Sequence, residues 1–208
     1  FRVLEELTNL GEQVFAIELN PDCPLLEQAR QLGAEVIIGD ARAENLLHTL
    51  NIEGARAVIV ATDDDLANLE IAMDVRDMRA DVPVVLRLFD QRLASKVSTA
   101  LNIQVSFSTS RLAAPLLAAA ALDSSVVGAH RINDEVLVIL SLTVAQGSAL
   151  DGLTLNELAS VHRVSIVAHR SGGSWVSQPE LSATLGAGDG VQVMVSGERV
   201  DEVHALNR

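Results

Sequence analysis

The stretch from Ala57 to Leu69, AVIVATDDDLANL, limits the possible folds more than any other part of the chain. A β-branched run, Val58–Val60, stops at Ala61 and Thr62, and three carboxylates follow, Asp63, Asp64 and Asp65. Helix-like sequence opens at Leu66. A continuous apolar strand flanked by helical sequence belongs in a parallel sheet covered on both faces. Such sheets bind ligands beyond the carboxyl ends of their strands, where the strand order reverses. Thr62 and Asp63 would stand on that rim, with the chain before and after them forming two wings of one sheet.

Strands and helices alternate on either side. Phe1–Leu10 puts Val3, Leu4, Leu7 and Leu10 on one helical face, and Gly11 follows as a C-terminal cap. Gln13–Leu19 reads as a strand ending in Glu18, and Pro24 suits the first turn of a helix running to Gly33. Glu35–Ile38 is the next strand, closed by Gly39–Asp40. Helices over Ala43–Leu50 and Leu66–Arg79 flank the central strand. Strand Val82–Leu88, helix Gln91–Ala100 and strand Gln104–Phe107 come next. Alternation at this pace predicts parallel βαβ units with right-handed crossovers, a Rossmann-like doubly wound α/β sheet. In the doubly wound strand order, a further strand ahead of Phe1 would lie between Gln13–Leu19 and Ala57–Val60.

The rhythm changes after Ser108. Ser110–Leu122 is one apolar helix with Pro115 inside it. Strands over Glu135–Val144, Val164–His169, Trp175–Val176 and Val191–Val195 follow, with helices over Leu155–Ser160 and Val200–Leu206. The expected division is a nucleotide-binding domain over 1–109, a crossover helix and linker over 110–125, and a smaller α+β module over 126–208.

Composition narrows the function classes. A formal charge of −13 argues against nucleic acid as a partner, because phosphate binding needs clustered Lys and Arg. An aromatic content of 2% removes base-stacking platforms as well. No apolar run approaches the ~20 residues that span a bilayer, and Glu5 and Glu6 argue against a signal peptide at the start. With Cys23 alone, no internal disulfide forms, which fits a reducing compartment. Small ligands and other proteins remain as partners.

The candidate chemistry lies at strand ends. Glu18 is placed either to accept hydrogen bonds from ribose hydroxyls or to be a solvated carboxylate. Asp40 either lies beside an adenine or caps a helix. Thr62 and Asp63 face phosphates or the distal ribose, while Asp64 or Asp65 caps the next helix. Arg87 either reaches a phosphate or pairs with Asp90. The five histidines, His48, His130, His162, His169 and His204, have no metal-ligand spacing. No residue stands out as a catalytic acid, base or nucleophile, so no catalytic and no metal site is expected.

The successive segments VFAIELNPD, GAEVIIGDA, AVIVATDDDLANL and VPVVLRLFD resemble the nucleotide-binding half of regulators of potassium conductance, the Trk-type gating domains of prokaryotic potassium channels and transporters. SALDGLTLNELA, VSIVAHRSG and VSQPELSATLGAGDGVQVMVSG resemble that family's C-terminal ligand-binding module. The resemblance implies that Glu18, with Leu19 beside it, binds ribose and that Asp40 and Ala41 lie at the adenosine. It implies that Thr62, Asp63 and Arg87 lie near the phosphates of NAD(H), ADP or ATP. It further implies a homodimer through Ser110–Leu122, four dimers forming a ring under a membrane potassium pore, and a place at the cytoplasmic face of the membrane. The family's glycine-rich loop would precede Phe1. The expected function is thus a gating domain and not an enzyme; a nicotinamide-dependent oxidoreductase and a soluble subunit of a potassium uptake system are the alternatives.

Overall fold

The computed structural model describes residues 1–43, 45–50, 52–90, 92–93, 105–107 and 109–208. The chain divides into two units, Phe1–Ser108 and Thr109–Arg208.

The first unit opens with α1 (Arg2–Asn9), after which Gly11 takes a φ of +82°. Glycine is the residue that adopts this left-handed conformation without strain. Of the face expected to be apolar and inward, Leu4 is buried, while Val3 and Leu10 are exposed. The core that α1 joins is small, with Leu4, Ala29 and Ala34 buried and Val14, Ala16, Leu32 and Val36 partly buried against them.

Strand β1 (Phe15–Glu18) pairs in parallel with β2 (Glu35–Ile38), Glu18 standing opposite Ile38, and α2 (Leu26–Gln31) connects them. Strands β3 (Val58–Val60), β4 (Val84–Arg87) and β5 (Val105–Phe107) form a second parallel set in that order. Among the described residues β1 and β3 are not paired with each other.

Helix α4 (Asp65–Met78) follows β3 and lays Ile71, Ala72 and Val75 against Val60, Val84 and Leu86. The alternate residues of these strands are less covered: Val58 and Val85 are half-buried and Ile59 is exposed. The helix expected over Ala43–Leu50 is only α3 (Leu46–Thr49), followed by a 3-10 turn over Ile52–Gly54. Gly39 lets α3 approach the end of β2, since a Cβ there would lie 3.0 Å from Leu46 Cδ2. The helix expected over Gln91–Ala100 falls almost wholly outside the described residues; Arg92 and Leu93 are helical.

The second unit begins with α5 (Thr109–Leu122), which runs through Pro115. Strands β6 (Val126–Ile132), β7 (Glu135–Thr143), β8 (Ser165–Arg170), β9 (Val176–Ser177) and β10 (Gly190–Ser196) form an antiparallel sheet in the order β6-β7-β10-β8-β9. Strand β6 is not foreseen by the sequence reading. Its VVGAHRI breaks alternation at Gly128, where the register shifts and where a Cβ would come within 3.1 Å of Ile139; a bulge of this kind hides the period of two. Helix α6 (Leu155–His162) starts on a capping box made by Thr154 and Glu157, and α7 (Val200–Leu206) completes the unit. Its core holds Leu140, Leu150, Leu155, Leu158 and Val193. Leu116 and Ala119 of α5, the helix expected as a separate linker, pack against that same core.

Candidate functional site

The carboxyl ends of the first unit's strands gather most of the residues singled out by the sequence. At the end of β1, Glu18 Oε1 accepts the Asn20 N–H at 2.9 Å, and Asn20 Oδ1 accepts the Asp22 N–H at 3.0 Å. These bonds curl the chain away from the sheet and leave Leu19 exposed. The Gly39 N–H donates to the Glu18 carbonyl at 2.9 Å, which locks the ends of β1 and β2 together.

Asp40 follows at once. Its carboxylate accepts the Arg42 N–H at 3.0 Å, Arg42 Nε at 3.0 Å and Arg42 Nη2 at 2.8 Å. Those hydrogen bonds from Arg42 hold the Asp40 carboxyl below its ordinary range. The helix-cap alternative for Asp40 does not hold, because the residue flanking α3 is Asn45. Ala41 packs against the core beneath the rim.

Beyond β3 the three carboxylates part company. Asp64 caps α4, accepting the N–H groups of Leu66 at 2.8 Å and Ala67 at 3.1 Å. Asp65 reaches the next strand's exit, where it accepts the Phe89 N–H at 2.9 Å and the Asp90 N–H at 3.1 Å. Asp63 is exposed and makes no hydrogen bond among the described residues.

Between these strand ends sits a residue the sequence reading passes over. Asn68, with a relative exposure of 0%, accepts the Thr62 N–H at 2.9 Å and the Thr62 hydroxyl at 2.6 Å. Its amide nitrogen donates to the Thr62 carbonyl at 3.0 Å and the Arg87 carbonyl at 3.1 Å. The signal was a polar residue on the same helical face as Ile71, Ala72 and Val75.

Arg87 closes this end of the rim. Its Nη1 lies 3.4 Å from the carbonyls of Ala61 and Thr62, and its guanidinium carbon lies 4.3 Å from the centroid of the Phe89 ring. Arg87 Nε is buried without a hydrogen-bond partner. An orphaned donor of this kind suits an anion, and one oxygen of Glu18 and the whole of Asp63 are open to donors. Glu18, Leu19, Asp40 and Ala41 therefore stand together at the ends of β1 and β2, and Thr62, Asp63 and Arg87 at the ends of β3 and β4. The Asp40 hydrogen bonds, with a smaller part from the charges of Glu70 and Asp64, raise the Arg42 guanidinium above its ordinary value. Among the described residues no cluster of His, Cys, Asp or Glu could hold a metal ion.

Comparison with known proteins matches this geometry to a family. The chain is 26% identical over 204 residues to the Trk system potassium uptake protein TrkA of Mycobacterium tuberculosis, covering 98% of this chain and 91% of that protein. It is 26% identical over 144 residues to the voltage-gated potassium channel Kch of Escherichia coli, covering 68% of this chain but only 33% of the channel. The chain thus spans a third of Kch. The solved structure of the GsuK channel bound to NAD shares the fold, with a TM-score of 0.59 at 18% identity over 100% of this chain and 37% of its own. The TrkA-N domain matches residues 1–108, the whole of the first unit and more than half of the 208 residues. By that match the chain belongs to the TrkA-N domain family, with the Rossmann-like fold of a regulator of potassium conductance.

Proposed function

We propose that the first unit senses an adenine nucleotide, NAD(H), ADP or ATP, along the strand ends, and that binding regulates potassium flux through a membrane channel or transporter. The observation that carries this reading is the polarity of the rim. A carboxylate with one oxygen open to ribose hydroxyls, Glu18, stands at the end of β1, the Asp40–Arg42 pair at the end of β2, and a cation with an unpartnered buried nitrogen at the end of β4. Glu18 and Leu19 would hold the ribose, and its charge would repel a 2′-phosphate. Asp40 and Ala41 would face the adenosine, and Thr62, Asp63 and Arg87 the phosphates. The similarity to TrkA and Kch supports potassium transport as the setting, and the NAD of the GsuK channel supports the ligand class.

The rim reads as a binding site because most of its polar groups are occupied in holding the strand ends, leaving Asp63 and one oxygen of Glu18 as open acceptors. Asp64 and Asp65 bind backbone N–H groups, and the Thr62 hydroxyl binds Asn68. Regulation would work by population shift, the nucleotide binding one geometry of the assembly more tightly than another. The assembly would be a homodimer built on α5, arranged in a ring at the cytoplasmic face beneath a pore. Among the described residues no helix is long and apolar enough to cross a membrane, so the pore would be supplied elsewhere.

Calorimetry with NADH and ADP tests the site. Glu18→Ala should weaken binding about ten- to hundredfold, the value of a hydrogen-bonded charged acceptor. Unchanged affinity in the variant would remove Glu18 from the site.

A further inference from the structure

We propose that Arg42 is the base-recognition residue of this site, its guanidinium plane being the surface on which a purine stacks. The proposal rests on the nucleotide reading above and adds a residue that strand-end position alone does not single out.

Three features of the structure lead to Arg42. First, the Asp40 carboxylate is already engaged: it takes the Arg42 N–H, Nε and Nη2, so a base arriving at this strand end meets the pair and not a free carboxylate. Second, the guanidinium is fixed. Two parallel bonds from Nε and Nη2 to the two carboxylate oxygens set its plane, whereas an ordinary surface arginine would have to give up rotamer freedom to present a flat face. Third, that face is open. The Arg42 side chain is 40% exposed, and among the described residues no aromatic ring lies over it, unlike the Arg87 and Arg170 guanidinium groups. A planar, weakly hydrated, delocalised cation stacks well on an aromatic face.

The position fits as well. Arg42 lies in the turn beyond β2, two residues past the Asp40 whose carboxylate it holds. The Gly39 N–H bonded to the Glu18 carbonyl keeps that turn beside the end of β1, so a base with its ribose on Glu18 would come within reach of Arg42. As a bare surface ion pair Arg42 and Asp40 would contribute little to folding, so removal of Arg42 should leave the fold in place.

Binding of AMP, ADP and ATP is measured by calorimetry for the wild type, Arg42→Ala and Arg42→Lys, with thermal melts as a control on folding. Stacking predicts that both variants lose about tenfold in affinity, that the factor is the same for all three nucleotides, and that the melts are unchanged. Lysine keeps the charge without the plane, so wild-type affinity in Arg42→Lys would overturn the proposal. A loss that grows with the number of phosphates would overturn it too, as would an Arg42→Ala protein that binds like the wild type. A wild type that binds none of the three would overturn the nucleotide reading itself, and this assignment with it.

Discussion

Asn68 sits one turn into α4, facing the core, and holds four hydrogen bonds to two different strand ends. With alanine in its place the Thr62 N–H and the Arg87 carbonyl would lose the partner described for them, and the Thr62 carbonyl would keep only the long contact from Arg87. Each unmade buried bond costs about 1–3 kcal/mol, so Asn68→Ala should destabilise the first unit by roughly 2–4 kcal/mol even with some relief from water. Asn68→Asp should do no better, since a carboxylate accepts from Thr62 but cannot donate to the two carbonyls and would bury a charge beside them. Urea unfolding of the three proteins checks this; a change within about 0.5 kcal/mol for Asn68→Ala would show that the hub is dispensable. Glu18 and Asp64 could be found in the sequence because strand ends and helix starts are local. Asn68 could not, because its partners lie 6 and 19 residues away. Arg42 was missed for a different reason: its partner is two residues off in a turn, a pairing that no helical or strand period marks.

Among the described elements, α5 leaves several apolar side chains open. Leu116 and Ala119 face the second unit's core, while Leu112, Leu117 and Leu122 are 55%, 69% and 89% exposed. Apolar side chains left this open on one helix make it the candidate for an interface, which is why the proposed dimer is placed there. Replacing Leu112 and Leu117 together with glutamate should turn a dimer into a monomer in light scattering without lowering the melting temperature, because neither side chain belongs to the core. A wild type that is monomeric at micromolar concentration, or a double variant that stays dimeric, contradicts the placement. The other elements show where sequence patterning is sufficient. The runs that became β1 to β4 were legible because each apolar segment is bounded by its own turn residues, whereas β6 was masked by the bulge at Gly128. The inward face of α1 was overestimated, since periodicity reports which residues share a face but not how large a core awaits them.

At the scale of the whole molecule, two histidine–carboxylate pairs tie distant parts of the second unit. His204 Nε2 of α7 lies 2.6 Å from Asp123 Oδ2, just beyond α5, and His169 Nε2 of β8 lies 3.1 Å from Asp189 Oδ2. Burial pushes both carboxyls up. The Ser125 and His204 groups around Asp123, and Gly186, His169 and Ser171 around Asp189, outweigh it, and both end below their ordinary range. A depressed carboxyl contributes stability that is fully present above its unfolded value, about 3.9, and lost as pH falls through the folded value. The melting temperature should therefore fall more steeply below about pH 4 in the wild type than in an Asp123→Asn, Asp189→Asn variant. Parallel slopes in the two proteins would show that these pairs carry no acid sensitivity.

Asn207 ties the other end of the same unit: it donates to the Thr143 carbonyl and accepts the Ala145 N–H, contacts spanning 64 and 62 residues, while the pair of His204 with Asp123 spans 81. The parallel pairs of the first unit close over much shorter loops, Phe15 meeting Glu35 and Val58 meeting Val84. On a ribosome this difference becomes an order in time. The first unit's strand pairs can form as its own segments emerge, but the second cannot complete the ties of α7, or those of the turn after β7, until synthesis has passed Asn207. Until then the core side that α7 covers waits open, and contacts of such long range are the slow ones to make.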